Sequence, residues 1–392
     1  YALVEPGVSY FDLYNYITER NLDVWIDPPD PGWGSVVGNA LDGGGGWTAY
    51  PFRDHFGAHC GMEVVTGEGE IVRTGMGAAP NSKTWQQNKW GYGPWIDGLF
   101  RQSNMGIVTK MGFWLMPRPE ALISATVQVF NDEDIIPLLD ILNLLENKLV
   151  INGSTNLSGA FGPGGDGPKW TLTVPIYGPE PVIRAQLEYA REKFVTIPGA
   201  VFNETPLVRT PLSEEDRANV RLVNFGIPNL STFSMLGRSQ LQPNPPGGHI
   251  GFSPILPRTG EDLLKFRDFY RTNLAEVSGN ENLGVIGPVF MTNWERSLVG
   301  LIMFPISKDI AANTKVRIAF EKWVALAAEQ GWTEYRAPAV FQDTVSDTYS
   351  FNDHALRKFR EKIKDAVDPN GIIGAGRYGV WPKHLREGNE NA

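Results

Sequence analysis

Apolar residues recur along this chain with two different periods, and together these predict most of its secondary structure. Recurrence every three to four positions predicts helices, while alternation and short apolar runs predict strands. Ser9 followed by Asp12 is typical of a capping box that begins the first helix. The predicted helices lie near residues 10–17, 133–148, 183–194, 261–277, 311–329 and 356–367. The predicted strands lie near residues 62–75 (a hairpin), 105–117, 123–129, 170–176, 249–256, 284–291 and 297–305.

The pattern changes after Pro117, where strand–helix–strand units replace a loop-rich region. Such units predict an α+β fold with an antiparallel or mixed sheet. Glycine-rich loops lie on both sides of this block, at 32–46 and 371–382. We therefore predict a cofactor domain whose last piece returns to it after an inserted α+β domain.

Composition narrows the classes of function. The chain of 392 residues is 42% hydrophobic and 20% charged, which is typical of a globular protein. Its net charge is −9 and it has no basic tract, so nucleic acid and anionic membranes are poor partners. We find no apolar run long enough for a membrane span. One cysteine excludes an internal disulfide framework and fits a reducing compartment, so we expect a cytoplasmic protein.

The stretch WIDPPDPGWGSVVGNALDGGGGW, residues 25–47, is the most unusual in composition. Prolines on both sides restrict the backbone of Asp30, and seven glycines follow. Glycine at this density suits backbone that must approach a flat or anionic group. A surface loop in which the aspartate begins a turn explains the same residues equally well.

Short motifs argue against several kinds of chemistry. His55 and His59 are four residues apart, which on a helix could bind zinc, but no HExxH glutamate follows His55. We therefore predict no metal site and a structural role for both histidines. The chain lacks GxSxG, GxxxxGK[ST] and a GxGxxG that links a strand to a helix. These absences disfavour a serine hydrolase, a P-loop enzyme and a nicotinamide-dependent dehydrogenase.

Two short segments carry candidate reactive groups. In NPPGGHIGFSP (244–254), His249 follows two glycines and is open to a bulky partner, although a structural histidine at a strand end is the simpler interpretation. In GWTEYRAP (331–338), Tyr335 and Arg336 reach one pocket only if the strand ends or bends there. Together they would stabilise an anionic oxygen; apart, they are a core tyrosine and a surface arginine.

Taken together, six stretches resemble the vanillyl-alcohol oxidase and p-cresol methylhydroxylase family of flavoproteins, in that family's order. They are WIDPPDPGWGSVVGNALDGGGGW, DHFGAHCGMEVVTGEGEIVRTGMGA, GYGPWIDGLFRQSNMGIVTKMGFWLMP, HIGFSP, EYR and VDPNGIIGAGRYGVWP. The resemblance implies an α+β fold. Its FAD-binding domain comprises residues 1–118 and 336–392, and 119–335 form an inserted cap with an antiparallel sheet flanked by helices.

The resemblance also implies roles for individual residues. His249 matches the position that forms a covalent bond to FAD in the oxidases of the family. Tyr335 and Arg336 match the pair that binds the substrate phenolate, and Asp30 would act as acid or base near flavin N5. Ser253 and Trp294 would line the substrate pocket. Further contacts to FAD are expected from Ser35, Gly38, Asn39, Asn104, Gly106, Ile107 and Arg377.

The implied reaction oxidises para-substituted phenols by hydride transfer from Cα to flavin N5 through a quinone methide. Dioxygen would accept the electrons and give hydrogen peroxide. Two alternatives stay open: a dehydrogenase of the same family that passes electrons to a cytochrome, and a phenol-binding protein without redox chemistry. By resemblance we also expect a homodimer or a larger homo-oligomer.

The chain departs from the family's pattern in three places. The diphosphate-binding loop, a further phenolate-binding tyrosine and a histidine that assists flavin attachment would precede Tyr1, so we expect the N-terminal part of the FAD domain to be missing. Arg377 replaces the family's usual lysine, which keeps the charge and changes the geometry. MTNWERS (291–297) replaces a histidine pair of vanillyl-alcohol oxidase, and Trp294 there is expected to narrow the pocket.

Overall fold

A small antiparallel sheet organises the first third of the chain. The computed structural model describes residues 1–161, 167–231, 247–277, 279, 283–294 and 296–389. The sheet has the order β1-β5-β3-β4, and β2 pairs separately with β6. Helices α1 and α2 contribute buried residues to the core beneath it. The elements are β1 (Ala2–Val4), α1 (Tyr10–Glu19), β2 (Val24–Trp25), α2 (Val36–Leu41), β3 (His59–Val65), β4 (Ile71–Arg73), β5 (Ile107–Phe113) and β6 (Met116–Pro117).

A larger antiparallel sheet of nine strands follows. Its order is β10-β7-β9-β8-β14-β15-β12, with β11 paired to β7 and β13 paired to β15. Its strands are β7 (Ala121–Val129), β8 (Asn156–Gly159), β9 (Trp170–Gly178), β10 (Val201–Glu204), β11 (Val208–Arg209), β12 (Gly247–Phe252), β13 (Ile255–Pro257), β14 (Ile286–Trp294) and β15 (Ser297–Ser307). Alternation along β7 places Ile123, Ala125 and Val127 in the core, as the sequence predicts.

Helices pack against this large sheet and connect it to the end of the chain. Helix α4 contacts β7 and β9, and α7 contacts β15. The aromatic residues Trp170, Phe266 and Trp323 fill the core between them. The helices are α3 (Ile135–Asn147), α4 (Glu180–Phe194), α5 (Glu214–Asn219), α6 (Gly260–Val277), α7 (Ile310–Glu329), α8 (Gln342–Thr348), α9 (Phe351–Val367) and α10 (Lys383–Asn389).

The predicted elements are present within a few residues, and the capping box of Ser9 and Asp12 is confirmed. The predicted strand at 105–117 is in fact two strands, β5 and β6, and its first residue, Ile107, is 56% exposed. The α+β class with an antiparallel sheet is therefore confirmed. The domain boundaries after residues 118 and 335 stay predictions.

The apolar residues of helix α9 do not form a buried face. Leu356, Phe359, Ile363 and Val367 predict the helix by their spacing, yet Phe359 is 61% exposed. The fully buried residue of this helix is Lys364. The helix thus turns a charged side chain inward, and the contacts of this side chain in the candidate site, described below, explain why.

Candidate cofactor and substrate site

The glycine-rich stretch serves two different purposes. A Cβ atom on Gly44 or Gly46 would overlap the side chains of Asn39 or Asp27, so these glycines permit close packing within the protein. A Cβ on Gly34 would meet only the Pro31 carbonyl at 3.9 Å. On Gly38 it would meet only Ser35, at 3.4 Å or more. The open backbone therefore lies on either side of Ser35, which caps α2 through a 3.0 Å bond from the Gly38 amide.

Asn39 belongs to a buried polar network beneath this loop. Its side-chain oxygen contacts His55 Nδ1, and the Tyr10 hydroxyl lies 2.9 Å from the same nitrogen. The other ring nitrogen of His55 is 3.0 Å from Asp27, whose second oxygen accepts the Trp47 and Thr48 amides at 3.0 and 2.7 Å. This network holds the two ends of the glycine-rich stretch together.

His59, the other histidine of the pair spaced four residues apart, is also held by a buried aspartate. His59 Nε2 lies 3.0 Å from a carboxylate oxygen of Asp97, and both side chains are fully buried. Among the described residues no three His, Cys, Asp or Glu side chains gather as a metal site would require. The two histidines are instead partners of separate aspartates.

Asn104 joins the loop before β5 to the glycine-rich loop at 371–382. Its side-chain amide donates to the carbonyls of Gly374 and Val380 at 3.0 and 2.8 Å. Its backbone carbonyl accepts from Lys364 Nζ at 2.6 Å, and the same ammonium donates to Asp368 at 2.5 Å and to Ile373 O at 2.7 Å. Lys364 is therefore turned inward because it fastens the two loops to each other.

Two more of the predicted site residues, Arg377 and Tyr335, are linked to Asp42, which follows the C-terminal end of α2. The Asp42 carboxylate accepts from Arg377 Nη2 at 3.2 Å and from the Tyr378 hydroxyl. Its backbone carbonyl accepts from Gln102, whose side-chain amide also donates to the Tyr335 carbonyl at 2.8 Å. Arg377 is thus tied to the glycine-rich loop, and its charge is partly neutralised there.

Tyr335 and Arg336 do converge, because the chain bends immediately after Glu334 pairs with Pro254. The Arg336 guanidinium carbon lies 5.5 Å from the centre of the Tyr335 ring. Burial raises the pKa of Tyr335, so its hydroxyl stays a neutral donor at physiological pH. Both side chains line one cavity of about 260 Å³, which we call the arginine cavity because Arg101, Arg336 and Arg360 all line it.

Strand β12 carries His249 and is followed by Ser253 and by Pro254, which pairs with Glu334 just before the bend. His249 is exposed and lies opposite Pro305 of β15. Ser253, which follows the strand, is buried and its carbonyl accepts from the Tyr335 amide at 3.4 Å. Trp294 ends β14, but its side chain lies outside the described residues, so its effect on the pocket stays a prediction.

Asp30 is held by a different set of residues. Its carboxylate accepts from the Ser231 hydroxyl at 2.6 Å. Burial lowers the pKa of Arg221, and the negative charge of Asp30 partly opposes this shift. The Arg221 guanidinium carbon lies 3.7 Å above the Trp47 ring. Asp30 is therefore a half-buried carboxylate with a hydroxyl partner, which suits an acid or base.

One direct observation indicates that the residues of this site fit FAD. Asn104 Oδ1 is buried and has no hydrogen-bond partner in the described part of the chain, although buried polar atoms are usually paired. The backbone at Gly34 and Gly38 is open and the side chain of Ile107 is exposed, so these residues are accessible to a cofactor. Gly106 is required for another reason, since a Cβ there would lie 2.6 Å from Val64.

Sequence reasoning missed five residues that shape this site: Asp42, Gln102, Glu334, Lys364 and Asp368. A signal existed for the last pair, because a lysine four residues before an aspartate forms an i,i+4 contact on a helix. The others had no such signal, since their roles depend on contacts between residues more than 50 positions apart.

Known proteins resemble this chain over almost its whole length. A model described as the FAD binding domain matches residues 1–75. The flavoprotein subunit of 4-cresol dehydrogenase (hydroxylating) from Pseudomonas putida is 32% identical, over 97% of this chain and 75% of that protein. A second relative, 1'-carboxy-chondrochloren decarboxylase from Chondromyces crocatus, is 43% identical, over 97% of this chain and 79% of that protein.

The fold has a solved counterpart as well. The structure of 4-ethylphenol oxidase from Gulosibacter chungangensis, in complex with isoeugenol, superposes with a TM-score of 0.84 at 32% identity. The match covers 98% of this chain and 77% of that one. No helix among the described residues is both long and apolar enough to cross a membrane.

Proposed function

This chain belongs to the p-cresol methylhydroxylase and vanillyl-alcohol oxidase family of FAD-dependent oxidoreductases, and we propose that it oxidises para-substituted phenols. The proposed substrates are 4-alkyl-, 4-allyl- or 4-hydroxymethylphenols, attacked at the carbon attached to the ring. The convergence of Tyr335 and Arg336 on one cavity is the observation that carries this proposal.

The residues of the chain have separate tasks in the proposed reaction. A free phenol has a pKa of about 10, so the Arg336 charge and the Tyr335 hydroxyl are needed to favour its anion near neutral pH. When bound, FAD supplies the acceptor for the hydride that leaves the substrate. The phenolate delivers electrons to the para position as the hydride leaves, which gives a quinone methide. Asp30 then takes or gives the proton when water adds or an alcohol collapses to an aldehyde.

The first test compares 4-hydroxybenzyl alcohol with benzyl alcohol under anaerobic conditions. We expect 4-hydroxybenzyl alcohol to bleach the flavin absorbance and benzyl alcohol to leave it unchanged, because only the former can become a phenolate. Equal bleaching by both alcohols would contradict the phenolate mechanism. Failure of both to bleach a flavin-loaded protein would favour phenol binding without redox chemistry.

The electron acceptor is proposed to be dioxygen, on the strength of His249. Admitting air to the reduced protein should restore the flavin spectrum rapidly and produce hydrogen peroxide. Slow recovery in air with fast reduction of a dye acceptor would favour a cytochrome-linked dehydrogenase. That alternative agrees with the Pseudomonas relative, which is named as one subunit of a dehydrogenase.

A further part of the proposal is that His249 binds FAD covalently. The exposure of His249 on β12 leaves its ring accessible to the cofactor. After acid precipitation, the flavin colour should remain in the protein pellet and be traced by mass to the peptide that contains His249. In His249→Ala the colour should move to the supernatant. Colour in the supernatant of the wild-type protein would contradict covalent attachment while leaving FAD binding intact.

Decarboxylation is a second candidate function. The Chondromyces relative, at 43% identity, is named a decarboxylase of a carboxylated compound. The three arginines of the arginine cavity favour this candidate, because guanidinium groups recognise carboxylates. Release of carbon dioxide from a carboxylated para-substituted phenol would distinguish it from simple oxidation.

A further inference from the structure

The arginine cavity holds more positive charge than a phenolate alone requires. Arg101, Arg336 and Arg360 come from the loop before β5, from the bend after Glu334 and from α9. In the ranges that the structure describes, Arg336 and Arg360 form no hydrogen bond or ion pair with another residue. Arg101 donates only a 3.3 Å bond, to the neutral side chain of Gln102. Arg101 and Arg336 are half-buried, whereas Arg360 is exposed. Half-buried guanidinium groups are usually paired with anions, so two of them without such a partner, beside a third arginine on the same cavity, indicate an anionic ligand.

Among the described residues, Glu334 is the one carboxyl group that lines the same cavity, and it does not neutralise these charges. The side chain is 3% exposed, and neither carboxyl oxygen has a hydrogen-bond partner among the described residues. Burial raises the pKa of Glu334 well above the usual value, and the Ser253 backbone and the Arg336 guanidinium only partly oppose this. Burial therefore favours the protonated form of this carboxyl group, which can donate a hydrogen bond.

The position of Glu334 is fixed by its backbone. Its carbonyl accepts from the Tyr349 hydroxyl at 2.8 Å, and its backbone pairs with Pro254 beside Ser253. The side chain therefore has a defined location, and its carboxyl group is left for a ligand. The charged and titratable groups that line the cavity around it are Arg101, Arg336, Arg360, Tyr335, Tyr349 and Tyr378.

We propose that the arginine cavity binds a carboxylate carried by the para substituent of the phenol, through Arg360 and Arg101 with Glu334 as a neutral donor. Tyr335 and Arg336 remain the binding site for the phenolic oxygen. The substrate class is thus an acidic para-substituted phenol, in which one molecule carries two anionic groups. This inference rests on the proposed function, since it assigns a substrate class to the same site.

Two ligands that differ only in the carboxylate provide the test. In 4-hydroxyphenylacetate a carboxylate takes the place of the terminal methyl group of 4-ethylphenol, and calorimetry on the flavin-loaded protein gives both dissociation constants. We expect 4-hydroxyphenylacetate to bind more tightly to the wild type. Arg360→Ala should weaken its binding at least tenfold more than that of 4-ethylphenol, because a charge-assisted hydrogen bond is lost.

The matched control is Arg357→Ala, three residues earlier on α9, since Arg357 is paired with Asp347 at 2.7 Å. It should leave both constants unchanged. An equal change for both ligands in Arg360→Ala would overturn the inference and leave phenol oxidation standing. Loss of flavin from Arg360→Ala without a change in the ratio of the two dissociation constants would also overturn the inference, because Arg360 would then bind a cofactor phosphate. Tight binding of 4-hydroxyphenylacetate without binding of 4-ethylphenol would support the anion site and contradict the proposed function.

The pH dependence tests Glu334 separately. An ionised Glu334 would repel the carboxylate, so wild-type affinity for 4-hydroxyphenylacetate should fall as the pH rises through the elevated pKa of Glu334. Glu334→Gln keeps a neutral donor of the same shape and cannot ionise, so its affinity should stay constant over that range. A constant affinity in the wild type, equal to that of Glu334→Gln, would remove Glu334 from the site and overturn its role.

Discussion

Replacing Arg336 by alanine should lower kcat/KM for 4-ethylphenol by about 10²–10³-fold, the usual effect of removing one preorganised stabilising group. The phenolic oxygen would then have only the Tyr335 hydroxyl as a partner, and that hydroxyl stays protonated because burial raises its pKa. Arg336 forms no ion pair with the described residues, so its whole charge is available to the substrate. Stopped-flow measurement of flavin reduction reports this step directly.

The pH profile separates a loss of phenolate stabilisation from a general loss of structure. In Arg336→Ala, the rate of flavin reduction should rise only as the pH approaches the pKa of the free phenol, about 10. Arg336→Lys should recover part of the rate, since it restores the charge without the planar fork of the guanidinium. Arg191→Ala removes an exposed guanidinium paired with Glu188 and should change nothing. An unaltered rate and pH profile in Arg336→Ala would exclude this residue from phenolate binding.

The sequence was informative wherever structure depends on neighbouring residues. The alternation in β7 and the helical spacing in α4 predict their elements because side-chain direction repeats with the backbone. The sequence does not predict the bend that brings Tyr335 and Arg336 together, since the pairing of Glu334 with Pro254 joins residues 80 positions apart. A local pattern carries no information on such a contact.

In the candidate site, too, local composition is visible in the sequence whereas contacts between distant residues are not. The glycine-rich loop and the segment around Asn104 stand out in the sequence because their composition is unusual. Yet the sequence does not distinguish Gly34, which is open, from Gly46, which packs on Asp27. The distinction depends on which side chain the fold brings to each glycine. For the same reason a buried, unpaired Glu334 looks like an ordinary surface glutamate when only its neighbours in the chain are known.

The inward charge on α9 was also unpredictable from its apolar spacing. The stripe that contains Phe359 and Ile363 suggests a core face, whereas Lys364, one residue later, is the buried residue. Its three acceptors are the Asn104 and Ile373 carbonyls and the Asp368 carboxylate. Satisfying three buried acceptors outweighs the apolar preference of the helix, because unpaired buried polar groups cost more than partly exposed apolar ones.

Lys364→Met should therefore lower the free energy of unfolding by about 3–5 kcal/mol, the usual result of removing one partner of a buried ion pair. The substitution leaves the Asp368 carboxylate buried without its ammonium partner and leaves two carbonyls unpaired. The Asn104 loop would also lose the link through Lys364 to the loop of residues 371–380 and keep only the Asn104 side-chain bonds to it, so flavin content should fall together with stability. Urea unfolding of both proteins measures the difference. Lys362→Met, at an exposed position of the same helix, is the matched control.

The pH dependence of this difference identifies the ion pair as its cause. Burial is the largest influence on Asp368 and raises its pKa, but Lys364 and the amides of Ile373 and Ile372 together outweigh it and lower the pKa. The stabilisation by Asp368 is therefore complete above its unfolded pKa of about 3.9 and is lost as the pH falls through the folded value. Without Lys364, protonation relieves the buried charge, so the gap between wild type and Lys364→Met should narrow as the pH falls.

A double variant completes the argument. Lys364→Met combined with Asp368→Asn removes both charges and should be less destabilised than Lys364→Met alone, because no uncompensated charge remains buried. If the double variant lost the sum of the two single effects, the pair would contribute no coupling and Lys364 would act through its carbonyl bonds alone. Flavin content separates a role in stability from a role in positioning the loops. A double variant that unfolds near the wild-type urea concentration yet loses flavin would show that the Lys364 ammonium positions the Asn104 loop and the loop of residues 371–380.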